Sequence, residues 1–213
     1  MALVTTLARL WARIRGRRYG ESMWTSTGGK FWPLDPRTTE VELKDIARGL
    51  ANRCRYQGQI GHDTGYMTYT VAEHSVLVSQ YAERIAIERG WPEWRVAEVA
   101  FVALLHDASE AYIADVARPL KYSREMRSYL KIEARVERVI YASFGLHPDA
   151  EVLALVKEID KRILVDEIRA FMHADYTDEQ MHARWGAPLE CEIMGLPPGQ
   201  AEALFWLRYA EVA

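Results

Sequence analysis

Two cysteines in 213 residues, Cys54 and Cys191, are too few and too far apart for a disulfide framework or a zinc–thiolate site. Both are read as reduced thiols of a cytoplasmic protein. No apolar run approaches the ~18–20 residues that a spanning helix needs, so no transmembrane segment is expected. Nor does a small-residue cleavage site follow the N-terminal apolar stretch, which excludes a secretory signal. Charge of one sign is also in short supply. There are 27 Lys and Arg against 30 Asp and Glu, a net charge of -3, which gives no reason to expect stable nucleic-acid binding. Internal repeats and low-complexity tracts are missing as well. What remains is an ordinary globular composition, 49% hydrophobic and 27% charged, long enough for one domain with a full core.

The charge is unevenly spread. Residues 1–20 carry five arginines and no acid, whereas residues 150–213 carry twelve acids against six basic residues. In the N-terminal stretch Leu3, Leu7, Leu10, Trp11 and Ile14 fall on one helical face opposite the arginines. This is read as a basic extension over 1–20 ahead of a domain over 21–213, a pattern that also allows contact with a membrane surface or a partner.

Turn formers and aromatics between Trp24 and Pro36 predict a short hairpin or an ordered loop. Helical spacing of apolar residues then predicts helices over 41–53, 70–89, 92–106, 123–144, 151–172 and 199–212. The segment from Tyr56 to Tyr69 holds three glycines and reads as a loop. The helix ending at His106 is apolar almost all round (Val96, Val99, Phe101, Val102, Leu104, Leu105) and belongs at the centre of a bundle. Ser123 and Gly145 are the expected start and stop of the next helix. The predicted fold is all-α, a single-domain helical bundle with a short N-terminal hairpin.

Four residues of metal-ligand type interrupt these apolar faces: His74, the adjacent pair His106-Asp107, and Asp160. Singly, His74 also fits a hydrogen-bonded core histidine, and Asp160 an ion pair with Arg53 or Arg162. A buried carboxylate without a partner is costly, so Asp160 has to be paired, protonated or metal-bound. In the order His … His-Asp … Asp on successive helices the metal reading wins. Two imidazoles and two carboxylates leave positions open on one divalent ion. Co, Mn, Fe, Ni or Zn fits such a set, with Mg also compatible, and a closed structural zinc site does not.

With these residues in place the sequence resembles the HD-domain phosphohydrolases, in particular bacterial 5'-deoxynucleotidases and related phage and bacterial deoxynucleotide hydrolases. The likeness runs from about Trp24 to Asp175. It rests on Tyr69-Thr-Val-Ala-Glu-His74-Ser, Leu104-Leu-His106-Asp107-Ala-Ser-Glu110, Asp115-Val-Ala-Arg-Pro-Leu-Lys121-Tyr and Ile159-Asp160. The resemblance implies an HD-type bundle around one divalent ion and hydrolysis of a phosphate ester on a deoxynucleotide. It also implies roles by position. Glu110 matches the catalytic carboxylate, Asp115 a second acid near the sugar or the attacking water, Arg53 a phosphate-binding arginine, and Lys121 a basic residue near the phosphate. The family commonly forms dimers or larger assemblies, so a homo-oligomer is expected. Two departures stand out: Cys54 where the deoxynucleotidases have tryptophan, and a longer, Gly-rich interval before His74. Both pull the likeness toward the phage-type enzymes, some of which act on triphosphates such as dATP.

The chemistry of the residue types agrees with these roles. A carboxylate three residues past Asp107 can take or relay a proton, and Arg and Lys offset charge developing on phosphoryl oxygens. The leading expectation is release of phosphate from deoxynucleoside monophosphates, with removal of triphosphate from a deoxynucleoside triphosphate as the alternative. A bundle that binds nucleotide without turnover is the further alternative, and the intact ligand set with Glu110 argues against it. An alarmone hydrolase would place an acid where Ala111 stands. A cyclic-dinucleotide phosphodiesterase would follow Gly65-Tyr66 with proline, where Met67 stands.

Overall fold

The computed structural model describes residues 17–61, 63–172 and 175–213. Most of the basic extension, and His62 and His173, lie outside them. Arg18, at the end of that extension, lies over the Trp32 ring and pairs with Asp35 and Glu40. An antiparallel pair, β1 (Met23–Trp24) and β2 (Lys30–Phe31), comes first. It is followed by α1 (Leu43–Ala51), α2 (Val71–Glu88), α3 (Glu93–Leu104), α4 (Glu110–Ile113) and α5 (Arg118–Lys121). The chain continues as α6 (Arg127–Ser143), α7 (Ala150–Phe171), α8 (Asp178–Trp185) and α9 (Pro198–Val212). The fold is an all-α bundle with one small hairpin.

The centre of the bundle is α3, whose residues from Val99 to Leu104 are all buried. It packs against α2, α7 and α9, and α2 packs in turn on α1, α7 and α9. Polar groups inside this core are bonded, as burial requires. The Ser79 hydroxyl on α2 donates to Ala100 O at 2.7 Å, and Arg208 on α9 donates to the same hydroxyl at 2.9 Å. Glu73, fully buried on α2, accepts the backbone N–H groups of Met194, Gly195 and Leu196 at 2.7, 3.0 and 2.7 Å. That clasp fixes the segment leading into α9. Gly195 has φ +63, and a Cβ there would lie 2.5 Å from the Tyr66 ring, so glycine is needed on both counts.

Helix ends follow side-chain chemistry where it is offered. Thr70 caps α2 through Glu73 N, and Asp149 caps α7 through the N–H groups of Glu151 and Val152. A capping box of Thr177 and Gln180 starts α8, a helix the apolar periodicity did not reveal. Ser123 is not the cap expected of it. The α5 turn, with Pro119 in its first turn, comes before it, and α6 begins only at Arg127 behind Met126. On the other flank Phe31 of β2 stacks on Tyr112 of α4, with ring centroids 3.9 Å apart. Gly49 of α1 packs on Ala111, where a Cβ would come within 2.7 Å of Ala111 Cβ and 2.9 Å of its Cα. Those contacts set the position of α4, and with it Glu110.

Candidate metal centre and substrate cavity

His74 projects from the first turn of α2, His106 and Asp107 from the turn leaving α3, and Asp160 from the middle of α7. The fold brings the four to one point. His74 Nε2 lies 3.3 Å from Asp160 Oδ1 and 3.7 Å from Asp107 Oδ2, and His106 Nε2 lies 3.2 Å from Asp107 Oδ2. The two imidazole centroids are 5.3 Å apart. One ligand atom from each of His74, His106 and Asp107 fits within a sphere of mutual distances no greater than 4.8 Å.

Both rings are oriented from behind. His106 Nδ1 bonds to Ala103 O at 2.7 Å, and His74 Nδ1 to Glu167 Oε1 at 2.7 Å. With Nδ1 donating, each Nε2 keeps its lone pair toward the cluster. Neither Nε2 has a hydrogen-bond partner, although both are buried. Two such orphaned acceptors beside two carboxylates fit a divalent cation better than any other occupant. The local field agrees. Burial works against a protonated His106, yet Asp107 and Asp160 raise its imidazole to about 9. Burial would likewise raise Asp160, and the neighbouring His74, with the charge of both imidazoles, holds it at about 2.

Glu167, two helical turns beyond Asp160 on α7, was not singled out by the sequence. It is fully buried and accepts from four donors. At Oε1 these are His74 Nδ1 and the Tyr69 hydroxyl (2.9 Å); at Oε2 they are Arg55 Nη2 (3.1 Å) and the Tyr56 hydroxyl. Burial alone would push this carboxyl up; Arg55, His74 and Tyr56 overcome it and hold the group at about 2. A carboxylate inside an amphipathic helix pattern, seven residues after another acid, was the available signal.

The cluster forms one end of a cavity of about 660 Å³. His106, Asp107, Asp160, Glu110, Asp115 and Lys121 all line it. Arg53 does not; Arg55 lines it instead, with Nη1 3.6 Å from Asp107 Oδ2, and Arg118 lines it as well. A β-bridge between Cys54 and Thr70 explains the exchange. Arg53 and Arg55 each bond through the main chain to the strand-like start of α2, and Arg55 continues into a tight turn over the cavity. In that turn Tyr56 and Gln57 both take φ +56, a left-handed conformation that costs non-glycine residues about 1–3 kcal/mol each. Gln57 Nε2 donates to Asp115 O at 3.2 Å, and the Tyr129 hydroxyl to Ala114 O at 2.6 Å. The second bond holds Ala114 at φ +75, the kink that presents Asp115.

Glu110 is buried, and its Oε2 has no partner. Burial first, then the Asp107 and Asp115 carboxylates, raise its pKa well above the ordinary value, against Arg55 and Lys121. Lys121 pairs with Glu133 at 2.9 Å. Arg118, half-exposed, lies 3.7 Å from Asp160, and Val116, Pro119, Tyr122, Leu153 and Leu164 give the wall an apolar part.

A bundle with a His, His-Asp, Asp cluster at the foot of a cavity that also carries Arg55, Arg118, Lys121 and Lys157 is the arrangement of an HD-type hydrolase, and comparison with known proteins agrees. The family described as YfbR-like, 5'-deoxynucleotidase YfbR-like, matches residues 50–180. The chain belongs to that family. It is similar to the uncharacterized protein YfdR of Escherichia coli K12, 30% identical over 189 residues covering 89% of this chain and 94% of that one. It is also similar to an uncharacterized protein of Rhodobacter capsulatus, 31% identical over 186 residues covering 83% and 87%. No helix among the described residues is long and apolar enough to cross a membrane.

Proposed function

We propose that the protein is a metal-dependent phosphohydrolase of deoxynucleotides that releases phosphate from deoxynucleoside 5'-monophosphates. The observation that carries this reading is the pair of buried, partnerless Nε2 atoms facing Asp107 and Asp160 at the foot of the cavity. His74, His106, Asp107 and Asp160 would hold the ion. A divalent ion there supplies Lewis acidity to a phosphoryl oxygen and acidifies the attacking water.

The chain's own groups then have distinct tasks. Arg55 and Lys121 bind the phosphoryl oxygens and offset their developing charge. Glu110, with its raised pKa and free Oε2, is a stronger base than an ordinary carboxylate and is suited to take the proton of the attacking water. It returns that proton to the 5'-oxygen as the P–O5' bond breaks, giving nucleoside and inorganic phosphate. Asp115 faces the sugar or the water from its kink after Ala114, and the apolar wall accommodates the nucleoside. The cytoplasmic setting and a homo-oligomeric state belong to the same proposal.

One observation favours a second reading, removal of triphosphate from a deoxynucleoside triphosphate. Arg118 and Lys157 line the cavity in addition to Arg55 and Lys121 and would engage a longer phosphate chain. The deciding experiment is release of phosphate, pyrophosphate or triphosphate from a panel of deoxy- and ribonucleotides with Mn²⁺, Co²⁺ or Mg²⁺. Phosphate from monophosphates is expected, and none from Asp107→Ala or Glu110→Ala. Triphosphate release transfers the assignment to the second reading, and an inert panel removes both.

A further inference from the structure

We infer that Glu167 is a positioning residue with two simultaneous tasks: it turns His74 Nε2 toward the ion site, and it holds the Arg55 guanidinium off Asp107. The inference rests on the proposed ion site and adds to it a competition between two carboxylates for one arginine.

A carboxylate offers about four lone-pair positions, and all four on Glu167 are taken. One oxygen is committed to His74 and Tyr69, the other to Arg55 and Tyr56. The group is fully buried, so no water competes. Arg55 is shared unequally. Its Nη2 bonds to Glu167 at 3.1 Å, its Nη1 stops 3.6 Å short of Asp107, and its buried Nε has no partner. A buried guanidinium that lost Glu167 would close on Asp107, since that carboxylate is the acid next nearest to it, and a closed bidentate pair would take the oxygen the ion requires. The turn that carries Arg55 is itself under left-handed strain at Tyr56 and Gln57, and the Tyr56 hydroxyl on Glu167 is one of the bonds that hold it. The same carboxylate therefore sets the ion ligand and the phosphate ligand, one on each oxygen.

Glu167→Gln separates the two tasks. The amide oxygen can still accept from His74 and Tyr69, but its NH2 then faces Arg55 as donor against donor. Co²⁺ binding to the full chain, followed by calorimetry and by the visible absorption of the bound ion, reads the result. Glu167→Gln is expected to lower Co²⁺ affinity by about 10-fold or more as Arg55 closes on Asp107, a loss of the size that changes behind metal ligands usually bring. Adding Arg55→Ala to it is expected to restore most of that loss and the wild-type spectrum. A salt bridge that merely stabilises the fold predicts no rescue. Unchanged Co²⁺ affinity in Glu167→Gln, or a double variant weaker than the single one, overturns the inference. Should Glu167→Gln not fold, Arg55→Ala alone decides. It is expected to keep or tighten Co²⁺ binding while binding inorganic phosphate at least about 10-fold more weakly, and a drop in Co²⁺ affinity overturns the inference. If the unsubstituted protein takes up no divalent ion, the ion site itself is wrong and the inference falls with it; if it does, any failure concerns Glu167 alone.

Discussion

At the scale of single residues, ion holding and proton transfer are separable. Glu110 is buried beside the cluster with its Oε2 unpartnered, and neither of its oxygens is needed to complete the His, His-Asp, Asp set. Glu110→Gln preserves shape and removes the base. It is expected to bind Co²⁺ within about 3-fold of wild type while turnover falls by 10²–10⁴, the usual contribution of a positioned base, on the order of 3–5 kcal/mol of barrier. Loss of the ion along with the rate would move Glu110 into the ligand set. The ligand types were legible in the sequence because imidazoles and carboxylates on otherwise apolar helix faces are costly without a reason. Arg55 and Glu167 were not. Arg53 and Arg55 stand two positions apart, and the residue types alone do not say which one faces the cavity. An acid buried by partners 93 to 112 positions away looks the same in sequence as a solvated one.

At the scale of elements, the apolar periodicities of α2, α3, α7 and α9 were enough to place the bundle, since each buries a broad face. The short elements around the cavity were not legible, because four-residue helices have no period to detect. The kink at Ala114 and Pro119 set α4 and α5 in the stretch before Ser123, where the pattern predicted no helix. The α1–α4 contact gives a direct test of how these short pieces set the site. In Gly49→Ala the new methyl meets backbone as well as side-chain atoms of Ala111, which cannot swing aside. Overpacking of this kind costs about 1–3 kcal/mol. The strain should push α4 outward, so kcat is expected to fall by about 10-fold or more with Co²⁺ affinity nearly unchanged. A variant with wild-type turnover and melting temperature would show that α4 is set by other contacts.

At the scale of the whole molecule, the hairpin is tied to the bundle through one carboxylate. Asp45 on α1 accepts from the Ser26 hydroxyl at 2.6 Å, Thr27 N at 2.8 Å and the Thr27 hydroxyl at 3.0 Å. Burial alone would raise its pKa; these bonds from Ser26 and its neighbours overcome that and leave it below 3.8. A depressed carboxyl contributes stability that is fully present above its unfolded value and is lost as pH falls through the folded one. Asp45→Asn is therefore expected to cost about 1–2 kcal/mol at neutral pH. The difference from wild type should shrink as pH drops below 3.8, read by denaturant unfolding at each pH. A gap that stays constant down to pH 2 would show that the charge on Asp45 plays no part.

Glu73 and His74 are neighbours on α2 with different partners, one clasping the three amides before α9 and the other facing the proposed ion site. Loading the proposed centre is thereby expected to steady the segment that Glu73 holds. An ion at 100 times its dissociation constant would add about 2.7 kcal/mol to whatever must unfold for it to leave, and the clasp at Glu73 would extend that protection toward the last helix.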